Sequence, residues 1–89
     1  MARNRHNRTV RKVAGGYRSQ GCRVRADVSG YPQPRTYRRR RPDVVARRGR
    51  DVVMVEVETR KSAHSDAGQR QVLRKFARRN NMRFRTVRA

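Results

Sequence analysis

The sequence predicts an α/β domain in which a central mixed sheet is flanked by two helices, in the order α-β-β-β-α-β. Two patterns carry this. β-branched runs at residues 43–46 and 51–58 lie on either side of Arg47-Arg48-Gly49-Arg50, and a glycine between two such runs marks an antiparallel hairpin. Apolar residues recur at helical spacing near both ends of the chain, and an alternating strand follows the second helix. A strand reached through a helix is the connection that parallel pairing requires.

Taken in order, residues 1–7 are basic and polar with little to bury, and are expected to form an arm that orders on a partner. From Thr9, a capping residue, Val10, Val13, Ala14 and Tyr17 place a first helix over roughly residues 8–20, ended by Gly21. Residues 22–27 alternate as a strand with Cys22, Val24 and Ala26 inward. Residues 29–34 hold a glycine and two prolines and form a loop. Pro42 can begin a strand but not sit inside a central one, so the second strand starts at Asp43. In the third, Val52, Met54, Glu56 and Glu58 share one face, and Val53, Val55 and Val57 share the other. Residues 59–64 are a polar connection, with Ser62 or Ser65 as cap and Asp66 in the first turn of the next helix. That helix covers about residues 66–79, with Gln69, Val72, Leu73, Phe76 and Ala77 on one face and a left-handed end at Asn80 or Asn81. Residues 82–87 alternate as the last strand. No repeat or linker divides residues 8–89, which read as one domain.

At 89 residues the core is thin, because a domain of this size buries only about 60% of its unfolded surface. No apolar run approaches the ~20 residues of a membrane span, and residues 1–11 lack the hydrophobic segment of a secretion signal, so a cytoplasmic protein is expected. Cys22 stands alone, and His6 and His64 are far apart in sequence. That pattern excludes a disulfide framework and the usual four-ligand zinc site. Cys22 reads as a buried strand residue, and the two histidines as solvent-facing.

The formal net charge is +20 on 89 residues. Self-repulsion of that size destabilises a compact monomer, so the partner is expected to be a polyanion, either DNA or RNA. The excess is almost all arginine, with lysine only at Lys12, Lys61 and Lys75, and the guanidinium fork suits phosphate oxygens. No helix pairs a wide apolar face with its basic one, which argues against a membrane surface. Arg35 and the run Arg38, Arg39, Arg40 and Arg41 are flanked by Tyr31 and Tyr37. They read as a nucleic-acid contact, with Arg70, Arg74 and Arg78 on the outer side of the second helix; a solvated edge is the plainer alternative.

Four of the six acids fall between residues 41 and 58. Asp51 lies at the hairpin turn and, like Asp27, reads as a strand-end residue. Asp43, Glu56 and Glu58 converge where the second strand begins and the third ends. Converging carboxylates repel one another unless a cation sits between them, either a hard divalent ion or arginine. Ordinary ion pairs are the alternative to a metal site.

The element order, with Pro42-Asp43 and Glu56-Val57-Glu58 on its second and third strands, resembles the core of the PD-(D/E)XK nuclease superfamily. This is the restriction-endonuclease-like fold that includes archaeal Holliday junction resolvases, and the resemblance spans about residues 8–88. It implies a metal-dependent endonuclease hydrolysing phosphodiester bonds, with Mg²⁺ or Mn²⁺ held by Asp43 and Glu56. Glu58 falls where most members carry a lysine that positions the attacking water, although some restriction enzymes have Glu there. Lys61, just beyond the strand, is the candidate to take the lysine's place. Gln69 or Gln71 is a candidate to orient substrate. The acid that some members contribute from the first helix has no counterpart, since residues 1–26 contain no Asp or Glu. One such domain cuts one strand, so a homodimer is expected. The alternative is a non-catalytic nuclease-like binder of RNA or DNA, such as a component of the ribosome or another ribonucleoprotein, which arginine on every element favours.

Overall fold

In the computed structural model, which describes residues 2–60 and 67–89, the chain forms α1 (Ala2–Ser19), β1 (Arg23–Ala26), β2 (Val44–Arg48), β3 (Asp51–Glu58), α2 (Ala67–Arg79) and β4 (Arg83–Arg88). The sheet order is β1-β2-β3-β4. The first three strands form an antiparallel meander, and β4 returns through α2 to lie parallel to β3. Side-chain alternation sorts the core into two layers. Val10 and Ala14 of α1 pack on Ala26, Val44, Ala46, Val53, Val55 and Val57. On the opposite face, Leu73 of α2 packs with Val45 and Met54, flanked by Tyr37, Phe76 and Phe84. Two helices on the two faces of a four-stranded mixed sheet give the α/β architecture of a restriction-endonuclease-like core.

The helix ends follow their sequence signals. At the end of α1, Gly21 takes φ 86°, with Cys22 N donating to Tyr17 O at 3.1 Å and Gly21 N to Arg18 O at 3.0 Å. This is the paired closure of a Schellman motif. After α2, Asn81 takes φ 56° and Met82 N donates to Ala77 O at 2.8 Å. The start of α1 differs from expectation. The helix begins at Ala2, so residues 2–7 continue it instead of forming an arm, and Thr9 lies inside it. Once Val10, Ala14 and Tyr17 are fixed against the sheet, adding turns requires no new nucleus, and His6 supplies a tertiary contact for the added length.

Strands β2 and β3 pair as far as Arg48 and Asp51, leaving a two-residue turn in which Gly49 takes φ 59°. The connection from β1 to β2 is tied down at both ends, by Ala26 N to Pro32 O and by Asp27 N to Asp43 O, both 2.9 Å. Within it, Tyr37 and Arg40 exchange backbone hydrogen bonds of 2.7 and 2.9 Å around Arg38 (φ 52°) and Arg39 (φ 66°). Positive φ at both central residues is the signature of a type I′ turn. Lys61, Ser62, His64, Ser65 and Asp66 lie outside the described residues. Among those described, no helix is long and apolar enough to cross a membrane.

Candidate functional site

Register creates the site. The last β2–β3 pair is Val44 with Val55, so Glu56, Val57 and Glu58 run past the start of β2 while still pairing with β4 on their other side. The overhang carries the Val57 N–H beyond the last β2 residue that pairs with β3. Asp43 meets it with its side chain, Oδ2 accepting from Val57 N at 2.7 Å. Its main-chain oxygen is held as well, by Asp27 N. The side chain that opens β2 is thus fixed beside Glu56, which is 5% exposed.

Around these residues lies a cavity of about 80 Å³ lined by His6, Asp43, Glu56, Glu58, Gln69 and Arg70, with Val57. His6 Nε2 is 3.3 Å from Asp43 Oδ1, and its Nδ1 is 3.3 Å from Asn7 Oδ1. Gln69 Nε2 donates to Glu56 Oε1 at 3.0 Å. Glu58 pairs with Arg70 at 3.3 Å and with Arg88 at 3.8 Å.

The His6 imidazole is raised above its ordinary value, chiefly by its hydrogen bond to the Asp43 carboxylate and against the effect of burial. Both ring nitrogens face oxygen acceptors, an arrangement that the doubly protonated ring satisfies. Burial pushes the Asp43 carboxyl up, but its hydrogen bonding with His6, with Glu56 and with the Val57 N–H outweighs it, and the group lies below its ordinary value. Asp43 is therefore ionised at neutral pH.

The donors fit a hard cation through two residues. Among the described residues, no group of three or more His, Cys, Asp or Glu side chains is arranged to hold a metal ion. Asp43 and Glu56 do line the same cavity. Mg²⁺ is often held by one or two carboxylates, with water and substrate phosphate completing its shell. Glu58 faces the same cavity but is drawn towards Arg70 and Arg88.

The expected nucleic-acid contacts divide. Tyr31 is half-buried against the α1 face of the core, with the Arg18 guanidinium 5.7 Å from its ring centre. Tyr37 is half-buried in the other layer, its ring 4.7 Å from that of Phe76. Both rings pack within the protein. Arg35, Arg38, Arg39, Arg40 and Arg41 are exposed, with Arg41 Nε donating to Pro34 O at 3.2 Å. Arg74 and Arg78 are exposed on α2, and Arg74 lies 5.4 Å from the Phe84 ring centre. Arg70 turns inward to Glu58. Gln69 contacts Glu56, whereas Gln71 is exposed.

One residue escaped the sequence reading. His6 is not solvent-facing: α1 delivers it to the cavity. The signal is the helical spacing of Val10, Ala14 and Tyr17, which extends back by four residues to His6. The first helix thus brings an imidazole to the cavity.

An α/β/α domain whose central strands gather carboxylates at one sheet end defines the restriction-endonuclease-like class. Residues 2–89 match the model of the AHJR-like family (REase_AHJR-like), and the chain belongs to this family. None of the curated proteins matches it in sequence. Membership of a restriction-endonuclease-like family makes nucleic acid the expected substrate.

Proposed function

We propose that the protein is a metal-dependent endonuclease of the PD-(D/E)XK type, acting on the phosphodiester backbone of nucleic acid. The observation that carries this is the convergence of Asp43, Glu56 and Glu58 on one small cavity in a chain of net charge +20. Negative charge at a polyanion-binding surface opposes binding, so these carboxylates point to a different task.

Asp43 and Glu56 would hold Mg²⁺ or Mn²⁺, an ion that polarises a phosphoryl oxygen and lowers the pKa of bound water. His6 and the Val57 N–H keep Asp43 ionised and fix its direction, which makes His6 a positioning residue. Gln69 does the same for Glu56. Glu58, at the position where most members have lysine, can take the proton from the attacking water, and its pairing with Arg70 at 3.3 Å fixes its direction. Arg70, half-buried in the cavity wall, places a guanidinium where a backbone phosphate enters. Lys61 is the alternative catalytic cation from the resemblance. A homodimer would bring two such sites to the two strands of a duplex.

A second reading has one observation in its favour. Asp43, Glu56 and Glu58 already meet internal donors in His6, Gln69 and Arg70, so the cluster is satisfied without an ion. In that reading the protein binds RNA or DNA without cutting it, as a ribonucleoprotein component would. The test incubates the purified protein with duplex DNA, a four-way junction, single strands and structured RNA, in Mg²⁺, Mn²⁺ or EDTA, beside Asp43→Asn/Glu56→Gln. Metal-dependent cleavage lost in the double variant supports the nuclease. Salt-sensitive binding without cleavage of any substrate, unchanged in the variant, supports the second reading.

A further inference from the structure

A larger groove of about 600 Å³ lies at the other end of the sheet, on the face that carries α2. Helix α2 covers β3 and β4 there, through Leu73, Met54 and Phe84, and the face of β1 and the far end of β2 stays open. Val45, Tyr37 and Met82 form its floor, and Arg23, Arg25, Arg35 and Arg47 its walls. All four arginines are exposed.

The register makes this groove unusual. Arg23 stands directly opposite Arg47 on the neighbouring antiparallel strand, which sets their Cβ atoms roughly 4.5–5.5 Å apart, and like charges so placed are destabilising. Arg25 Nη1 donates to Gln33 O at 3.1 Å. Among the described residues no ion pair joins any of the four arginines to a carboxylate. This end of the sheet face gathers three strand arginines and Arg35 of the connecting loop, none of them paired with a carboxylate, and so favours an anion. Tyr37 in the floor is half-buried with its ring against Phe76, and Tyr31 is half-buried on the other face of the sheet, so the groove lacks the fully exposed rings on which unstacked bases rest. Phosphates held along an intact backbone fit it better than a splayed single strand.

We propose that this groove is a second nucleic-acid site, one that grips the sugar–phosphate backbone of a duplex away from the carboxylates. The proposal rests on the reading that the chain binds nucleic acid, and is independent of whether it cuts. Arg47 lies four residues along β2 from Asp43, about 13 Å at ~3.3 Å per residue. This spans about four phosphates of one strand at ~3.4 Å of axial rise each. The groove and the carboxylates therefore read different stretches of one duplex, and the groove acts on affinity.

The experiment measures binding of a labelled DNA duplex in EDTA across a salt series, with an RNA duplex and a single strand as further arms. Removing two phosphate contacts in Arg23→Ala/Arg47→Ala is expected to lower the slope of log affinity against log salt by about 2. The control, Arg8→Ala/Lys12→Ala, removes equal charge from the exposed side of α1, on the opposite face of the sheet, and is expected to change the slope by less than half as much. Arg23→Glu is expected to bind weakly yet melt at a higher temperature without nucleic acid, because an attractive cross-strand pair replaces a repulsive one. Equal slope changes in the two double variants, or none in the groove variant while the wild type binds steeply, overturn the groove and leave nucleic-acid binding intact. A larger loss for the single strand than for either duplex overturns the backbone-of-a-duplex assignment. A wild type that binds none of the three overturns both readings together.

Discussion

Replacing Asp43 separates what its carboxylate does for the fold from what it does for a ligand. In Asp43→Ala the Val57 N–H loses its 2.7 Å acceptor and His6 loses its partner at 3.3 Å. A hydrogen bond to a charged group contributes about 1.5–3 kcal/mol, and this carboxylate, with a side chain 13% exposed, is little screened by water. The His6 side chain, 27% exposed, can be rehydrated, so only the Val57 hydrogen bond counts in full. The expected destabilisation is about 1.5–3 kcal/mol, which at ~4–8 °C per kcal/mol for a domain this small lowers Tm by roughly 6–24 °C. Asp43→Asn keeps an oxygen able to accept from Val57 and is expected to lose less than about 1 kcal/mol. The assay is urea unfolding followed by circular dichroism at pH 7 in EDTA, repeated with Mg²⁺. An ion bound at 100 times its Kd adds about 2.7 kcal/mol, and that increment is expected in the wild type and absent from both variants. If Asp43→Ala is as stable as the wild type in EDTA, the account of Asp43 as the acceptor of the Val57 N–H is wrong. If Mg²⁺ stabilises Asp43→Asn as much as the wild type, the metal assignment is wrong.

Leu73 of α2 is fully buried against Val45 and Met54 of the sheet, so Leu73→Ala is expected to cost about 2–5 kcal/mol in the same unfolding assay. The His6–Asp43 pair has a defined pH window. The contribution from His6, whose folded value is raised, is full below its ordinary 6.5 and disappears as pH climbs through the folded value. That from Asp43, whose value is lowered, is full above its ordinary 3.8 and disappears as pH falls through the folded value. Melting curves in EDTA are therefore expected to show the pair's contribution greatest between those pH values, and His6→Asn to flatten the decline on the alkaline side. Arg38 and Arg39 sit in left-handed backbone, which costs a non-glycine residue about 1–2 kcal/mol. Arg38→Asn/Arg39→Gly is expected to raise stability by at least about 1 kcal/mol while lowering the salt slope of nucleic-acid binding; a fall in stability would show that the turn is not strained.

The carboxylate site was legible because strand alternation has an unambiguous period. Met54, Glu56 and Glu58 had to share a face, and proline before Asp43 had to mark the start of β2. Gly21 and Asn81 likewise announced the helix ends. His6 was hidden because the residues around it are polar, so that a helix stabilised by one tertiary contact looks like a solvated arm. Tyr31 and Tyr37, beside a basic run, looked like stacking surfaces. Whether an aromatic ring turns outward or into the core depends on the path of the loop that carries it, and that path is set by contacts distant in sequence, such as Tyr37 against Phe76.

The two outermost strands, β1 and β4, carry Arg23 and Arg25 on one side of the sheet and Arg83, Arg85 and Arg88 on the other. An open strand edge is ordinarily a template on which a second chain can add, and charged side chains there block such growth. Here both borders bear the same sign, so copies that meet border to border repel each other in free solution. A polyanion laid along a border reverses this, because it screens the repulsion and can bridge two copies. Nucleic acid would then act as the cement of any assembly as well as its target, and the stoichiometry of such an assembly would follow the length of the nucleic acid more than the concentration of the protein.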